Sequence, residues 1–339
     1  MNPINPPPPT PKVSVVIPYY QRDTGILSRA VRSVLDQSYA GEINIIVVDD
    51  GSPLPAQQEL EWFSTEHYKY PRRLEIVTQF NAGPAIARNT GLSKINDSVD
   101  FLAFLDSDDT WHTNHIERAV TTLSEGYDFY FSDYLPINSQ RSAFHRDRFN
   151  PAERGSLLRD NCFRFEGDFF DQTIKNNVVG TPTVVMRMNT LNSQRFNPEF
   201  QYAGEDHLFW LGICQKTDRI LISNQCEVEC HHGVNIYESA KTLASPKTFR
   251  RIGNELNFRK SLPNLFKLNS TQLARNDEII ETLRMEFAIN SIHALKVSPG
   301  LGLRETIKFI WKDSSSFHTL RVEFAKALKR KMAKRRNAH

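Results

Sequence analysis

Three carboxylates crowd four residues of this chain, Asp106-Ser107-Asp108-Asp109, directly after the apolar run Phe101-Leu102-Ala103-Phe104-Leu105. Carboxylates held that close repel one another unless a cation lies among them. An Asp-x-Asp pair presents hard oxygen donors to one divalent ion, and Mg2+ or Mn2+ favours a few carboxylates completed by the phosphates of a substrate. Asp106 and Asp108 therefore read as a metal–diphosphate site. The same residue types also suit an Asp/Ser turn capping a helix that begins near His112, and the segment alone leaves both readings open.

The elements that must position these side chains precede them. Residues 101–105 have the length and composition of a buried strand. In an open α/β sheet, ligands bind in the crevice at the carboxyl ends of the strands. Val13-Ser14-Val15-Val16-Ile17-Pro18 predicts a first strand, stopped by Pro18 and followed by the loop Tyr19-Tyr20-Gln21-Arg22-Asp23. Leu27, Ala30, Val31, Val34 and Leu35 then recur at helical spacing. Residues 43–48 predict a second strand ending in Asp49-Asp50-Gly51-Ser52. Residues 74–77 predict a third, ending in Asn81-Ala82-Gly83-Pro84 and a helix that carries Ile86, Leu92 and Ile95.

Strand, helix and strand in this order form right-handed parallel units, so Tyr20, Asp49, Asp50, Asn81 and the Asp cluster share one sheet edge. Their convergence predicts a site. Tyr20 can stack on a base, and Asp49 or Asp50 can accept from a base or ribose. Taken singly, each fits a plain role as well: a turn-stabilising Asp, or a Tyr packed on the helix. The chain lacks Gly-x-Gly-x-x-Gly and Gly-Lys-Ser/Thr, so a metal held by Asp106 and Asp108 must offset pyrophosphate charge instead.

The composition sets the frame around that edge. With 339 residues, 40% of them hydrophobic, the chain can bury a sizeable core. A net charge of +3, concentrated at the C-terminus, is too mild to point to nucleic acid. No apolar run approaches membrane-spanning length, and the proline-rich opening lacks the apolar core of a signal peptide, so a cytoplasmic location is expected. Cys162, Cys214, Cys226 and Cys230 are too few for a disulfide framework in a chain this long. Cys226, Cys230, His231 and His232 lack the paired spacing of a zinc site.

Four segments in order then carry a resemblance. Val13-Ser14-Val15-Val16-Ile17-Pro18-Tyr19-Tyr20-Gln21, Val47-Val48-Asp49-Asp50-Gly51-Ser52, residues 81–92 and Phe104-Leu105-Asp106-Ser107-Asp108-Asp109-Thr110-Trp111 resemble the motifs of the family 2 glycosyltransferases of bacterial surface-polysaccharide type. That family has the GT-A fold, an α/β, Rossmann-like and mainly parallel sheet flanked by helices. Gln21 departs from the pattern, where Asn is usual. The resemblance implies sugar transfer from a nucleotide diphosphate donor. It puts Tyr20 and Asp50 at the base, Asp106 near the ribose or metal and Asp108 on the metal, and it adds Pro18, Asp49, Asn81 and Ser107 to the nucleotide-sugar site. Arg88, inside the third motif, faces the phosphates or lies on the outer helix face.

Inverting transfer needs a carboxylate to deprotonate the acceptor hydroxyl while metal neutralises the leaving diphosphate. Gly204-Glu205-Asp206-His207, ahead of an apolar helix, resembles the family's Glu-Asp motif and so implies Asp206 as the base and Glu205 as a contact to acceptor or donor hydroxyls. An acidic helix N-terminus is the plain alternative. The resemblance also implies a His near Gly233 on the metal or diphosphate; His232, which immediately precedes Gly233, is taken over His231, and a surface histidine is the plain alternative.

The remainder is harder to read. Residues 127–133 and 178–186 predict two more strands in a region that shapes the acceptor pocket, and residues 141–164 read as a loop over the site. Ile279, Ile280, Leu283 and Phe287 mark a helix, and Ile307, Phe309, Ile310 and Trp311 cluster between Arg304 and Lys312. Leu320, Phe324, Leu328 and Met332 trace one face of a final helix whose other faces carry Arg321, Lys326, Lys329, Arg330, Lys334, Arg335 and Arg336. That helix is either a peripheral anchor on anionic lipid or a solvated basic end.

The organisation expected is a flexible tail over 1–11, a GT-A catalytic domain over 12–239 (nucleotide-binding half 12–115, acceptor half 116–239), and a helical extension over 240–339. The expected function is Mn2+- or Mg2+-dependent, inverting transfer of a sugar from a nucleotide donor, a UDP-sugar, to a hydroxyl of a glycan or lipid-linked saccharide, on the cytoplasmic face of a membrane. A sugar-phosphate nucleotidyltransferase is the enzymatic alternative, opposed by the lack of a basic glycine-rich loop after the first strand. A non-catalytic nucleotide-sugar binder or membrane-associated scaffold is the other, opposed by the presence of Asp206 beside the Asp106/Asp108 pair.

Overall fold

A computed structural model describes residues 10–65, 68–200, 204–234 and 242–336. Its strands are β1 (Val13–Tyr19), β2 (Ile43–Asp49), β3 (Arg72–Thr78), β4 (Phe101–Phe104), β5 (Thr110–Trp111), β6 (Phe129–Leu135), β7 (Gly155–Arg159), β8 (Cys162–Phe165), β9 (Val185–Arg187) and β10 (Ile220–Glu229). The helices of the same region are α1 (Ile26–Leu35), α2 (Ala56–Glu59), α3 (Pro84–Lys94), α4 (His115–Leu123), α5 (Ala143–Asp147), α6 (Phe169–Lys175), α7 (Met188–Leu191) and α8 (Glu205–Cys214). Four more follow: α9 (Pro246–Leu265), α10 (Ser270–Val297), α11 (Pro299–Lys312) and α12 (Ser315–Arg336).

The strands join in the order β3-β2-β1-β4-β9-β6-β10-β8-β7, with β5 pairing β10. The run β3-β2-β1-β4 is parallel throughout, and so is β6-β10, while β9, β8, β7 and β5 pair antiparallel. After β3 the chain crosses back to place β4 on the other side of β1. This reversal opens a crevice beyond the carboxyl ends of β1 and β4, where the four predicted strand-end loops meet.

Both faces of the sheet are buried, which explains why its strands read as continuous apolar runs. Val13, Val15 and Ile17 pack with Leu27, Ala30, Val31 and Val34 of α1 on one face. Val16, Leu102 and Phe104 pack with Ala85, Leu92 and Trp210 on the other. There the Phe196 and Phe209 rings stack at 3.9 Å, and Phe104 meets Phe196 edge-on at 5.5 Å. Asn89 on α3 both donates to the Phe196 carbonyl and accepts its N–H, at 2.8 Å each. These contacts seat α8, buried from His207 to Ile213, beneath β4.

Two sequence expectations change. Residues 141–164 are not an open loop. They form α5, a 3-10 turn and the β7-β8 hairpin, which extends the sheet through β10. Residues 178–186 contribute only the short β9, because Thr181-Pro182-Thr183 turns as a 3-10 helix and Pro182 offers no N–H to a ladder.

β10 escaped the sequence reading because Ser223, Asn224, Gln225 and Glu227 interrupt its apolar pattern, and its register shifts there. Glu227 is buried, and its carboxylate accepts from Arg118 Nη1 (2.6 Å), Tyr130 Oη (2.8 Å) and Ser223 Oγ (2.6 Å) and meets His115 Nδ1 (2.7 Å). A carboxylate so fully bonded can be buried at little cost, which a linear pattern does not reveal.

The described residues divide into two compact units, 10–200 with 205–234, and 242–336 with 204. The boundary expected after 239 lies outside the described residues, as do residues 1–9 of the tail. The second unit is helical. Phe249, Ile252, Leu256, Ile280, Leu283, Phe287 and Phe309 form its core, with Phe287 and Phe309 stacked at 3.8 Å. Asn269 and Gln272 close a capping box at the start of α10. Among the described residues, no helix is long and apolar enough to cross a membrane.

Candidate active site

The edge begins with Pro18. Pairing between β1 and β4 ends at Val16 with Phe104, so Pro18 stands past the point where β4 needs a partner. The Tyr19 carbonyl accepts from the Asp50 N–H (2.9 Å), which aligns the loops after β1 and β2, and Tyr20 follows half-buried. The two adjacent aspartates separate in role. Asp49 accepts from the Ser52 and Ala56 N–H groups, 2.8 Å each, and so holds its own turn and the start of α2. Asp50 accepts from Gln79 Nε2 (2.7 Å) and from the Ala82 and Gly83 N–H groups (2.8 Å each).

Asp50 thus ties down the loop that carries Asn81, which is exposed on the same edge beside an almost fully exposed Phe80. Gly83 turns that loop into α3 with a φ of 87°, a conformation that favours glycine, and Pro84 opens the helix.

One turn into α3 lies Arg88, which is buried. A guanidinium out of water needs anionic partners. Arg88 finds them in two distant segments: Nη2 is 2.6 Å from Asp106 Oδ1, and Nη1 is 3.7 Å from Glu205 Oε1. Its guanidinium also lies 5.3 Å from the centre of the Phe196 ring. Burial opposes the charge of Arg88, but Asp106, Glu205 and Asp206 together hold it more firmly protonated than usual.

The carboxylates answer in kind. Burial, then the Asp206 charge, pushes Glu205 up to about 8 against the pull of Arg88. Burial also raises Asp206, whose Oδ1 accepts the His207 N–H at 2.7 Å. Burial and Asp106 push Asp108 up to about 6. Asp109, buried beside both, is raised well above the carboxylate range; it accepts the His231 N–H at 3.3 Å.

A segment far along the chain closes against this cluster. A β-carbon at Gly233 would overlap the Asp108 carboxylate, so only glycine brings the backbone that near. Gln21, itself buried, donates from Nε2 to Ser107 Oγ (3.2 Å) and accepts the Val234 N–H at Oε1 (2.9 Å). Arg29 donates to the Asp108 carbonyl at 3.1 Å. His231 meets Thr110 Oγ1 at 2.9 Å. His232 is exposed, and its Nε2 meets the Asn138 amide at 3.2 Å.

The structure therefore brings Asp106, Ser107, Asp108, Arg88, Glu205 and Asp206 together, and His232 adjoins the Gly233 that lies against Asp108. Gln21 and Gly233 join them without having been assigned a role from sequence. The departure of Gln21 from the usual Asn was the one visible sign. Among the described residues, no three His, Cys, Asp or Glu side chains converge into a cage for an ion. The donor set nonetheless fits a hard divalent cation completed by phosphate and water. Asp106, Asp108 and Asp109 repel one another, and no neighbouring side chain among the described residues donates a hydrogen bond to the Asp108 carboxylate.

Comparison with known proteins adds an independent line. The sequence model described as "Glycosyl transferase family 2" matches residues 14–190. The succinoglycan biosynthesis protein ExoW of Rhizobium meliloti (strain 1021) is 30% identical over 67% of this chain and 71% of its own. The UDP-Glc:alpha-D-GlcNAc-diphosphoundecaprenol beta-1,3-glucosyltransferase WfgD of Escherichia coli is 27% identical over 71% of this chain and 82% of its own. An uncharacterized glycosyltransferase of Rickettsia conorii is 31% identical over 60% of this chain, which spans only 30% of that longer protein. Among solved structures, S. aureus TarS 1-349 in complex with UDP-GlcNAc superposes with a TM-score of 0.54 at 18% identity, over 89% of this chain and 81% of that one. The shared fold is GT-A.

Proposed function

The chain belongs to glycosyltransferase family 2, and from that premise we propose that it moves a sugar, with inversion, from a uridine diphosphate donor to a hydroxyl of a lipid-linked or polymeric saccharide. Membership of that family sets aside the nucleotidyltransferase and non-catalytic readings. The observation that carries the proposal is the bridge from Asp106 through Arg88 to the Glu205–Asp206 pair, which gathers diphosphate-side and acceptor-side carboxylates around one crevice. The names of WfgD and of the TarS complex support uridine, and that of WfgD supports a lipid-diphosphate acceptor.

In this reading Tyr20 stacks on the base, and Asp50 holds the 79–83 loop at its edge. Asp106 and Asp108 would hold Mg2+ or Mn2+, which when bound neutralises the leaving diphosphate. Asp206 takes the proton of the acceptor hydroxyl. The acceptor oxygen then bonds to the anomeric carbon from the face opposite the diphosphate. The bond from that carbon to the diphosphate oxygen breaks, and its electron pair leaves with the diphosphate. Burial raises the basicity of Asp206 and so suits it to the task. Glu205, held near 8, carries its proton at neutral pH and can donate to a sugar hydroxyl.

Calorimetric titration with uridine diphosphate, with and without Mn2+, tests the donor side, and Asp206→Asn tests the base. Metal-dependent binding is expected, with the variant still binding while its turnover falls by a factor on the order of 10² to 10⁴. Unchanged turnover in the variant removes Asp206 as base. An absence of binding in both conditions removes the uridine donor.

A further inference from the structure

α11 carries two rows of side chains along its outer side. Leu303, Ile307 and Trp311 recur every fourth residue and are 56%, 48% and 86% exposed. Arg304, Lys308 and Lys312 follow each of them by one position and form a basic row beside the apolar one. Gly302, Thr306 and Phe309 face inward, and Phe309 stacks on Phe287 of α10. That packing fixes the rotation of the helix, so the apolar row cannot turn into the core.

The apolar row borders a groove of about 660 Å³ whose other wall is α9, with Phe249 contributing to its floor. The row of basic residues contains one acid, Glu305, paired with Arg304 at 3.0 Å and Lys308 at 3.5 Å, and the balance remains positive.

We propose that this side of α11 docks on the surface of an anionic phospholipid bilayer. An apolar stripe flanked by Lys and Arg on a helix that lies flat is the form of an interfacial helix. Tryptophan concentrates at headgroup level, where its ring sits in the boundary and its N–H reaches water. Basic side chains beside the stripe meet the negative charge of the leaflet. Charge also decides between occupants, because a second copy of this chain brings the same basic row to the contact.

The assignment differs from the sequence expectation, which looked to the C-terminal helix. The side chains of Leu328 and Met332 in that helix lie outside the described residues. The surface stands independently of the transfer reaction; only its purpose, meeting a lipid-linked acceptor, rests on the function proposed above.

Co-sedimentation of the full chain with vesicles tests it, using equimolar phosphatidylglycerol and phosphatidylcholine against phosphatidylcholine alone. Binding to the anionic vesicles and not to the neutral ones is expected. Lys308→Ala with Lys312→Ala should weaken it by roughly fivefold per charge removed, and Ile307→Ser with Trp311→Ser should weaken it by about tenfold or more. These exposed substitutions should leave the thermal midpoint and uridine diphosphate binding unchanged.

A wild-type chain that ignores anionic vesicles overturns the proposal. So does binding that survives both α11 variants but is lost on Lys329→Ala with Lys334→Ala, or a self-association in sedimentation velocity that depends on Trp311 without any vesicle binding. Vesicle binding by a chain that fails to bind uridine diphosphate leaves the docking surface standing and removes the donor assignment alone.

Discussion

Replacing Arg88 by methionine tests how much the site depends on one buried charge. The side chain length is nearly kept, so the contact with Phe196 survives in part, while the charge between Asp106 and Glu205 is removed. Breaking a buried ion pair by deleting one partner costs about 3–5 kcal/mol, since the remaining charge is left uncompensated in a low dielectric. Glu205 carries its proton below about 8, so at neutral pH Asp106 is the carboxylate left without its partner; it keeps partial access to water, and the lower half of that range is expected.

The loss has a predictable pH dependence. In the wild type Glu205 titrates near 8 in the folded protein, above its ordinary 4.5. The folded state therefore binds a proton that the unfolded state releases. This contribution to stability is fully present below about pH 4.5 and is lost as pH rises through about 8. Arg88 is what holds Glu205 down, so in Arg88→Met the upper edge of that window moves above 8 and the deficit relative to wild type grows further at alkaline pH.

Urea unfolding in chelator from pH 6 to 9 measures it, with uridine diphosphate affinity and turnover followed in parallel. A destabilisation under about 1 kcal/mol, flat with pH, refutes the bridge. A large destabilisation with donor affinity and turnover intact reduces Arg88 to a structural residue.

Gln21→Asn shortens the strap by one methylene, so it reaches Ser107 or the Val234 N–H but not both; one lost hydrogen bond predicts a loss of about 1 kcal/mol of stability in urea unfolding, and donor binding by calorimetry should weaken as the loop after β4 loosens. Gly233→Ala sets a methyl group against the Asp108 carboxylate, so Mn2+-dependent uridine diphosphate binding should fall while metal-independent binding stays the same.

Asp313 accepts from Arg284 Nε (2.8 Å) and Nη2 (2.9 Å), Lys260 Nζ (3.2 Å) and Ser316 Oγ (2.6 Å), and these donors hold its carboxyl well below the usual range. Its contribution to the helical unit is present above its ordinary pKa near 3.8 and fades as pH falls below that, so Asp313→Asn should cost about 1.5–3 kcal/mol at pH 7 and abolish the acid-sensitive part of the unfolding curve.

What could be read in advance follows from the range of the interactions. Strand ends are local events: an apolar run stops at Pro18, at Asp49 or at Asp106, and parallel topology carries all three to one edge. The sequence could not divide Asp49 from Asp50, since two identical neighbours at the end of one strand differ only in which backbone N–H groups they meet. One holds its own turn, and the other holds a loop some thirty residues on. Gln21 meeting Val234, or Glu227 meeting His115, joins residues far apart in the chain, and no local pattern encodes such a pair. The β7–β8 hairpin was missed for a related reason: its strands are short, each carries an Arg, and they hold their places because β8 pairs with the distant β10 and β7 with β8.

The charge balance of the crevice explains why these long-range contacts gather there. Asp106, Asp108, Asp109, Glu205 and Asp206 outnumber the guanidinium groups of Arg88 and Arg29, and burial removes the water that would screen the excess. The fold tolerates this by pushing Asp108, Asp109 and Glu205 towards their protonated forms and by fixing Arg88 between the two ends of the cluster. A diphosphate brought to such a place meets like charge unless a divalent cation arrives with it. Under the function proposed above, donor and cation would each raise the other's affinity by the same factor, because binding free energies are linked reciprocally. Gly233 and Gln21 keep the 230–234 backbone close against Asp108, where the loss of one methylene or the gain of one methyl group is felt by that carboxylate first.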